Sequence, residues 1–286
     1  MSDSNKDKPK SFNLDQIPFD QLGFSYKKSS ADVWAEMQIK TNKSPATSPV
    51  RKLNQVYYWL SAAVLLIGFS SLGFFAFKTT EVQTLAGERQ TLTLPDQSTV
   101  ELNAGSRLTY YPYRWFFQRK LSLEGEAYFE VEKGSRFEVV SSMGTTAVLG
   151  TSFNIYTRQN QYVVYCTSGR VEVTVEQHQI ILQPKTMAQR KGNELIRTEV
   201  QEQNLQLLSW RLGKFIYNTT PLQKVIMDME LEYNIQIELD SIISEKNFLY
   251  TGLFSRNMKA SDAIEIVCSS FGLNYFTSTE GHFNIY

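Results

Sequence analysis

The stretch "GEAYFEVEKGSRFEVVSSMGTTAVLGTSFNIY", Gly125–Tyr156, decides how the larger part of this chain is built. Apolar and polar residues alternate in short runs, and Gly, Ser and Lys-Gly breaks separate them, so it reads as successive strands with tight connections. The same rhythm continues outward on both sides, from Val82 to Val200. "RQTLTL", "STVELN", "SRLTYYPY", "RKLSLEG", "YVVYCTSG", "RVEVTVEQ" and "QIILQP" follow one another with turn residues every eight to twelve positions, among them Pro95-Asp96-Gln97-Ser98 and Thr167-Ser168-Gly169. No helix-length run interrupts them. The expectation is an all-β sandwich or roll over residues 78–205.

Upstream, "VYYWLSAAVLLIGFSSLGFFAF", Val56–Phe77, holds no charged residue and is bracketed by Lys52 and Lys78. As a helix its 22 residues would cover roughly 33 Å, enough for a hydrocarbon layer of about 30 Å. Tyr57, Tyr58 and Trp59 would sit at the first interface as an aromatic belt, in a span that runs from Val56 to Phe77. The predicted architecture is therefore one transmembrane helix over 56–77. The run begins too late and runs too long for a cleaved signal peptide. Lys40, Lys43, Arg51 and Lys52 precede it within twenty residues; Lys78 and Arg89 follow. Four basic residues against two place the N-terminus in the cytoplasm. Gly68, Ser70, Ser71 and Gly73 weaken the helix locally, which fits close helix packing or the ordinary use of glycine in membrane helices.

Residues 1–55 form the inner tail. Most of it is polar, with apolar positions too sparse to close a core. "SSADVWAEMQIK" is the exception: Ser29 and Asp32 have capping spacing, and Val33, Trp34 and Met37 recur at helical intervals. So short a helix is marginal alone in water and needs a surface to cover its apolar side. That surface is either a cytosolic protein gripped through Trp34 or the bilayer itself. "TNKSPATSP" leads on as a proline-broken linker.

Past Trp210 the pattern changes. "GKFIYNTT" and "IQIELD" read as strands around a helix with Pro221 at its first position and Leu222, Val225, Ile226, Met229 and Tyr233 on one side. "FLYTGLF", a helix over Ser261–Phe271 ending at Gly272, and a hairpin in "LNYFTSTEGHFNIY" complete a small α+β domain at 206–286.

Little here suggests an enzyme. The sequence lacks a phosphate loop, an HExxH pair and a nucleophile elbow. Its 29 basic and 29 acidic residues cancel, which gives no reason to expect nucleic-acid binding, and two Cys with two His are too few for a zinc site, so no cofactor is expected. Glu124, Glu126, Glu130 and Glu132 are two or four apart on a strand and read as one solvated face. Cys166 and Cys268 fall in different domains and read as two buried free thiols sooner than as an inter-domain disulfide, whose geometry a sequence does not show.

Several motifs taken in order, "LPDQSTVELNAGSRLTYY", "RKLSLEGEAYFEV", "FEVVSSMGTTAVLGTSFNIY" and "TSGRVEV", resemble the periplasmic module of FecR-type anti-sigma regulators. The last 75 or so residues resemble, in pattern, the short N-terminal domain of secretins and TonB-dependent receptors. The resemblance implies a single-pass inner-membrane protein with its C-terminus in the periplasm. An extracytoplasmic-function (ECF) sigma factor would be its cytosolic partner, held through the segment carrying Val33, Trp34 and Met37, and the signalling domain of an outer-membrane TonB-dependent transducer its periplasmic one. Periplasmic and intramembrane proteases would act in release. Some members of that family cut themselves at a Gly-Thr bond; here the matching pair is Gly150-Thr151, with Gly144-Thr145 second, and the same residues equally suit a strand that bends. A membrane-anchored module that binds a carbohydrate or scaffold, without a sigma partner, is the rival expectation.

Overall fold

The structure, a computed structural model, describes residues 27–41, 54–200, 206–244 and 246–286. The chain divides into two compact units, 1–64 and 65–286. The polar start of the tail and the proline-broken linker lie outside the described residues.

Helix α1 spans Ser30–Thr41 and α2 spans Gln55–Phe77. Ser29 caps α1: its Oγ accepts from the Ala31 backbone N–H at 3.3 Å, while the Asp32 N–H goes to the Ser29 carbonyl. Trp34 is 67% exposed on α1, Met37 is also exposed, and Val33 is half-buried. Helix α2 forms across the apolar run, with Tyr57, Trp59 and Leu66 all exposed. Among the described residues no helix is long and apolar enough to cross a membrane; in α2 the side chains at 72 and 74–76 are outside that description.

Thirteen strands follow: β1 (Thr80–Gln83), β2 (Gln90–Thr93), β3 (Thr99–Leu102), β4 (Arg107–Tyr110), β5 (Arg119–Glu130), β6 (Phe137–Ser141), β7 (Gly144–Val148), β8 (Ser152–Arg158), β9 (Gln161–Ser168), β10 (Val171–Val175), β11 (His178–Leu182), β12 (Thr186–Lys191) and β13 (Glu194–Glu199). They build two sheets that share one strand. The first runs β1-β4-β5-β6-β7-β10-β11 and the second β2-β3-β5-β8-β9-β12-β13. Only β5 with β6 is parallel.

The shared strand explains the roll. The first half of β5 pairs with β4 and β6, up to Arg107↔Glu124; the second half pairs with β3 and β8, from Gly125↔Thr157 onward. The changeover falls on Gly125, at φ +102°. A Cβ there would come within 2.5 Å of Ser106 Oγ and 2.7 Å of its Cα. Only glycine lets the strand bend this closely past β4 and enter the second sheet. Phe129, Phe137, Phe153, Leu108, Ile155 and Val173 then fill the space between the sheets, all fully buried. Cys166 joins that core, and burial pushes its thiol up to about 11.

The C-terminal module holds α3 (Gln206–Ser209), β14 (Lys214–Pro221), α4 (Leu222–Tyr233), β15 (Gln236–Leu239), α5 (Ser241–Ser244), β16 (Leu249–Ser255), α6 (Ala260–Phe271), β17 (Tyr275–Thr279) and β18 (His282–Ile285). β14 pairs with β16, and β15-β18-β17 make a second small sheet. The expected apolar stripes face the core: Leu222, Val225, Ile226 and Met229 on α4 and Ala263, Ile264 and Val267 on α6 are buried, while Tyr233 and Phe271, expected on the same stripes, are half-buried; Cys268 is buried beside them. Pro221 sits one position earlier than expected. At φ −52° and ψ 133° it is still extended, and it precedes the helix as its cap residue. Cys268 is a free thiol like Cys166, and its pKa is likewise raised by burial to about 11.

Candidate functional site: the junction between the two outer modules

The reading of the acidic residues on β5 as one solvated face is corrected at Glu126. Glu124, Glu130 and Glu132 are exposed, but Glu126 is buried. Strand β5 alternates cleanly only until Gly125; beyond it both faces are covered as far as Phe129. The cover on the outer face comes from the C-terminal module.

A network of hydrogen bonds crosses between the modules there. Asn103, just after β3, donates from Nδ2 to Glu126 Oε2 at 2.8 Å, and Asn154 on β8 donates to Oε1 at 3.0 Å. Asn103 Oδ1 accepts from Arg89 Nε at 3.2 Å. Arg89 then reaches Glu232 on α4, its Nη2 lying 3.0 and 2.9 Å from the two carboxylate oxygens. Arg89 also donates to the Trp210 carbonyl. Arg256, just after β16, lies 3.2 Å from Glu232 on the other side and donates to the Gly87 carbonyl. Glu232–Arg89–Asn103–Glu126–Asn154 is thus a continuous chain from helix α4 of the C-terminal module to the middle of the second sheet.

Two further contacts flank it. Arg211 grips Glu101 of β3 through Nε at 2.9 Å and a second guanidinium nitrogen, and stacks 3.6 Å over the Tyr128 ring. Lys224 of α4 lies 3.3 Å from the Tyr156 hydroxyl and 3.1 Å from Asp228. Between these contacts is a cavity of about 160 Å³, lined by Glu126, Arg158, Trp210, Lys224 and Glu232 among others.

The electrostatics follow from burial. Desolvation raises the Glu126 carboxyl above its usual range, against the pull of Arg158, Asn154 and Asn103. It raises Glu232 as well, against Arg89 and Arg256, and lowers Arg89. A buried pair of this kind holds geometry more than it adds stability, because its Coulomb attraction offsets the cost of leaving water. The arrangement suits mechanical coupling of two modules.

Two models of known families match this chain: FecR protein over residues 80–172, and FecR, C-terminal, over residues 214–285. The chain belongs to the FecR family. The first match spans β1 to the start of β10; the second spans β14 to the end of β18, so the junction brings the two FecR regions together. Two crystal structures of a proposed anti-sigma factor from Parabacteroides distasonis ATCC 8503 are similar to the FecR fold described here. One has a TM-score of 0.66 at 27% identity, covering 72% of this chain and 98% of that one. The other has a TM-score of 0.65 at 27% identity, covering 73% and 99%. No curated protein matches the chain.

The remaining candidate residues lie apart from the junction. Gly150 has φ +153°, and a Cβ there would strike Lys133, 2.8 Å from its Cα. Thr151 is buried, exchanges backbone hydrogen bonds with Val131, and donates its hydroxyl to the Arg170 carbonyl at 3.0 Å. Gly144-Thr145 starts β7. Val33, Trp34 and Met37 are on α1; Val56, Tyr57, Trp59, Gly68, Ser70, Gly73 and Phe77 are on α2. Among the described residues no cluster of His, Cys, Asp and Glu could hold a metal.

The sequence reading missed Arg89, Arg211 and Glu232. One signal was available: Glu232 stands three residues after Met229, on the apolar stripe of α4, and a charge there requires a partner.

Proposed function

We propose that this FecR chain is an anti-sigma factor that carries a signal from the periplasm to a sigma factor in the cytoplasm. The observation that carries the reading is the pairing of a FecR module with a FecR C-terminal module, in the fold of a proposed anti-sigma factor. In this reading α2 crosses the inner membrane once, counting its whole 23-residue length. A helix apolar on every side, whose described residues other than Gly73 are all exposed, is what a bilayer would surround. The basic flanks favour a cytoplasmic N-terminus.

The partner inside is an ECF sigma factor, held by α1 through the exposed ring of Trp34, with Val33 and Met37 beside it. The partner outside is the signalling domain of a TonB-dependent transducer, docked on the C-terminal module. Strand β17 supports this: among the described residues it pairs on one side only, with β18, and all but its first residue is exposed. Docking there would be passed through α4 and Glu232 to the β-roll. Release of an active tail by proteolysis completes the reading, since a lone helix has no second state of its own to switch into.

Protease added to intact spheroplasts tests the topology. The account expects residues 80–286 to be attacked and the tail to be spared. Digestion of the tail with survival of the β-roll would overturn it.

A further inference from the structure

Between β4 and β5 the chain runs "YPYRWFFQ", Tyr111–Gln118. It is a firmly held loop. Pro112–Arg114 makes one 3-10 turn, and Trp115 then points inward, packed edge-on against Tyr110 at 5.5 Å and Phe137 at 5.8 Å. The next two side chains point out. Phe116 is 91% exposed and Phe117 86%, more than any other large apolar side chain among the described residues. They pack edge to face at 5.4 Å and form a paired apolar knob. A fold that anchors Trp115 in its core and leaves its two neighbours fully in water has a use for the exposed pair.

Its place in the fold says what covers it. Strand β1 begins three residues after α2 ends, and Thr80 pairs with Tyr110, the residue just before the loop. The Arg114 guanidinium lies 4.2 Å from the centre of the Phe77 ring, the last residue of α2. The loop therefore stands at the point where the β-roll meets the end of the apolar helix. Its composition fits an interface: two Phe to enter the acyl boundary, Tyr111 and Tyr113 at headgroup level, and Arg114 to meet phosphate.

We infer that residues 111–118 form a membrane foot, with Phe116 and Phe117 inserted in the outer leaflet of the bilayer that α2 crosses. The inference rests on the reading of α2 as a span. The foot fixes the tilt of the β-roll above the membrane and prevents it from swinging on the short Lys78-Thr79 link.

The test uses the full chain in phosphatidylethanolamine–phosphatidylglycerol proteoliposomes, with a nitroxide on one introduced cysteine. Cys166 and Cys268 are buried, so labelling is selective. The sites are Phe117→Cys, Leu66→Cys within α2, and Ile181→Cys on β11, at the far edge of the sheet from β1. Accessibility to oxygen against a water-soluble nickel chelate is read at each. The inference expects labels at 66 and 117 to favour oxygen over nickel by roughly fivefold or more relative to 181, as for groups in the acyl region. Lipid contact at 66 with a water-exposed label at 117 overturns the foot and leaves the span standing. A label at 117 shielded from both reagents means a protein covers the knob, and overturns it too. A water-exposed label at 66 overturns both readings.

Discussion

Arg89 and Glu232, 143 residues apart in the chain, meet at 2.9 Å across the junction of the two outer modules, with the Glu232 side chain only 3% exposed. Truncating the arginine leaves a buried carboxylate whose remaining ion-pair partner among the described residues is Arg256. Arg89→Ala should cost about 2–4 kcal/mol in equilibrium denaturation, below the full loss of a buried pair because Arg256 stays. It should also raise hydrogen exchange in α4. A change under about 0.5 kcal/mol, typical of an exposed pair, would mean that the junction is not formed in solution.

Gly125 is the hinge of the shared strand. Gly125→Ala places a Cβ against the Ser106 backbone at a φ that L-residues avoid. The expected cost is roughly 2–5 kcal/mol, combining overpacking with backbone strain, and it should appear as lost thermal stability of the β-roll. Gly192→Ala, with open space around it, is the control; its φ of +60° limits the effect to about 1 kcal/mol.

Glu126 makes stability depend on pH. Its folded pKa is raised, so above the ordinary value of 4.5 the folded chain keeps a proton that the unfolded chain releases. Stability from this group therefore falls as pH rises from 4.5 through the raised value, and returns on acidification. Glu126→Gln should be more stable than the parent at pH 7, with the difference closing toward pH 4.5. The new amide also has a partner available, because Asn154 Oδ1 is buried without one and can turn to accept. A variant less stable at pH 7 than at pH 4.5, relative to the parent, would contradict this sign.

Thr151 spends its hydroxyl on the Arg170 carbonyl, and attack on the Gly150 carbonyl would require it to turn away. Thr151→Val keeps the shape and removes the bond, at an expected cost of about 1 kcal/mol. Parent and variant should both run full-length after purification. A parent cut between 150 and 151 beside an intact variant would instead make the hydroxyl a nucleophile.

Much of the fold was legible in the sequence because local patterns carry it. The alternation in "RVEVTVEQ" is the buried-outward alternation of β10, and the stripe from Leu222 to Met229 is the core face of α4. The sharing of β5 was not legible: period-two alternation is the same on either side of Gly125, and which strands pair there depends on contacts from Arg107 to Thr157. The junction was hidden for the same reason. Glu126 looks like its solvated neighbours until a module 80 or more residues downstream folds over it, and no local spacing records that burial.

In the proposed reading the α1 segment grips a sigma factor. Purifying the full chain from its own cells in mild detergent, with Trp34→Ala in parallel, tests it most directly by mass spectrometry of whatever stays bound. The account predicts a sigma factor near one-to-one with the parent chain and at least about tenfold less with Trp34→Ala, the loss expected of a buried aromatic anchor. A parent chain that retains no sigma factor, while its outer modules remain folded, would contradict it.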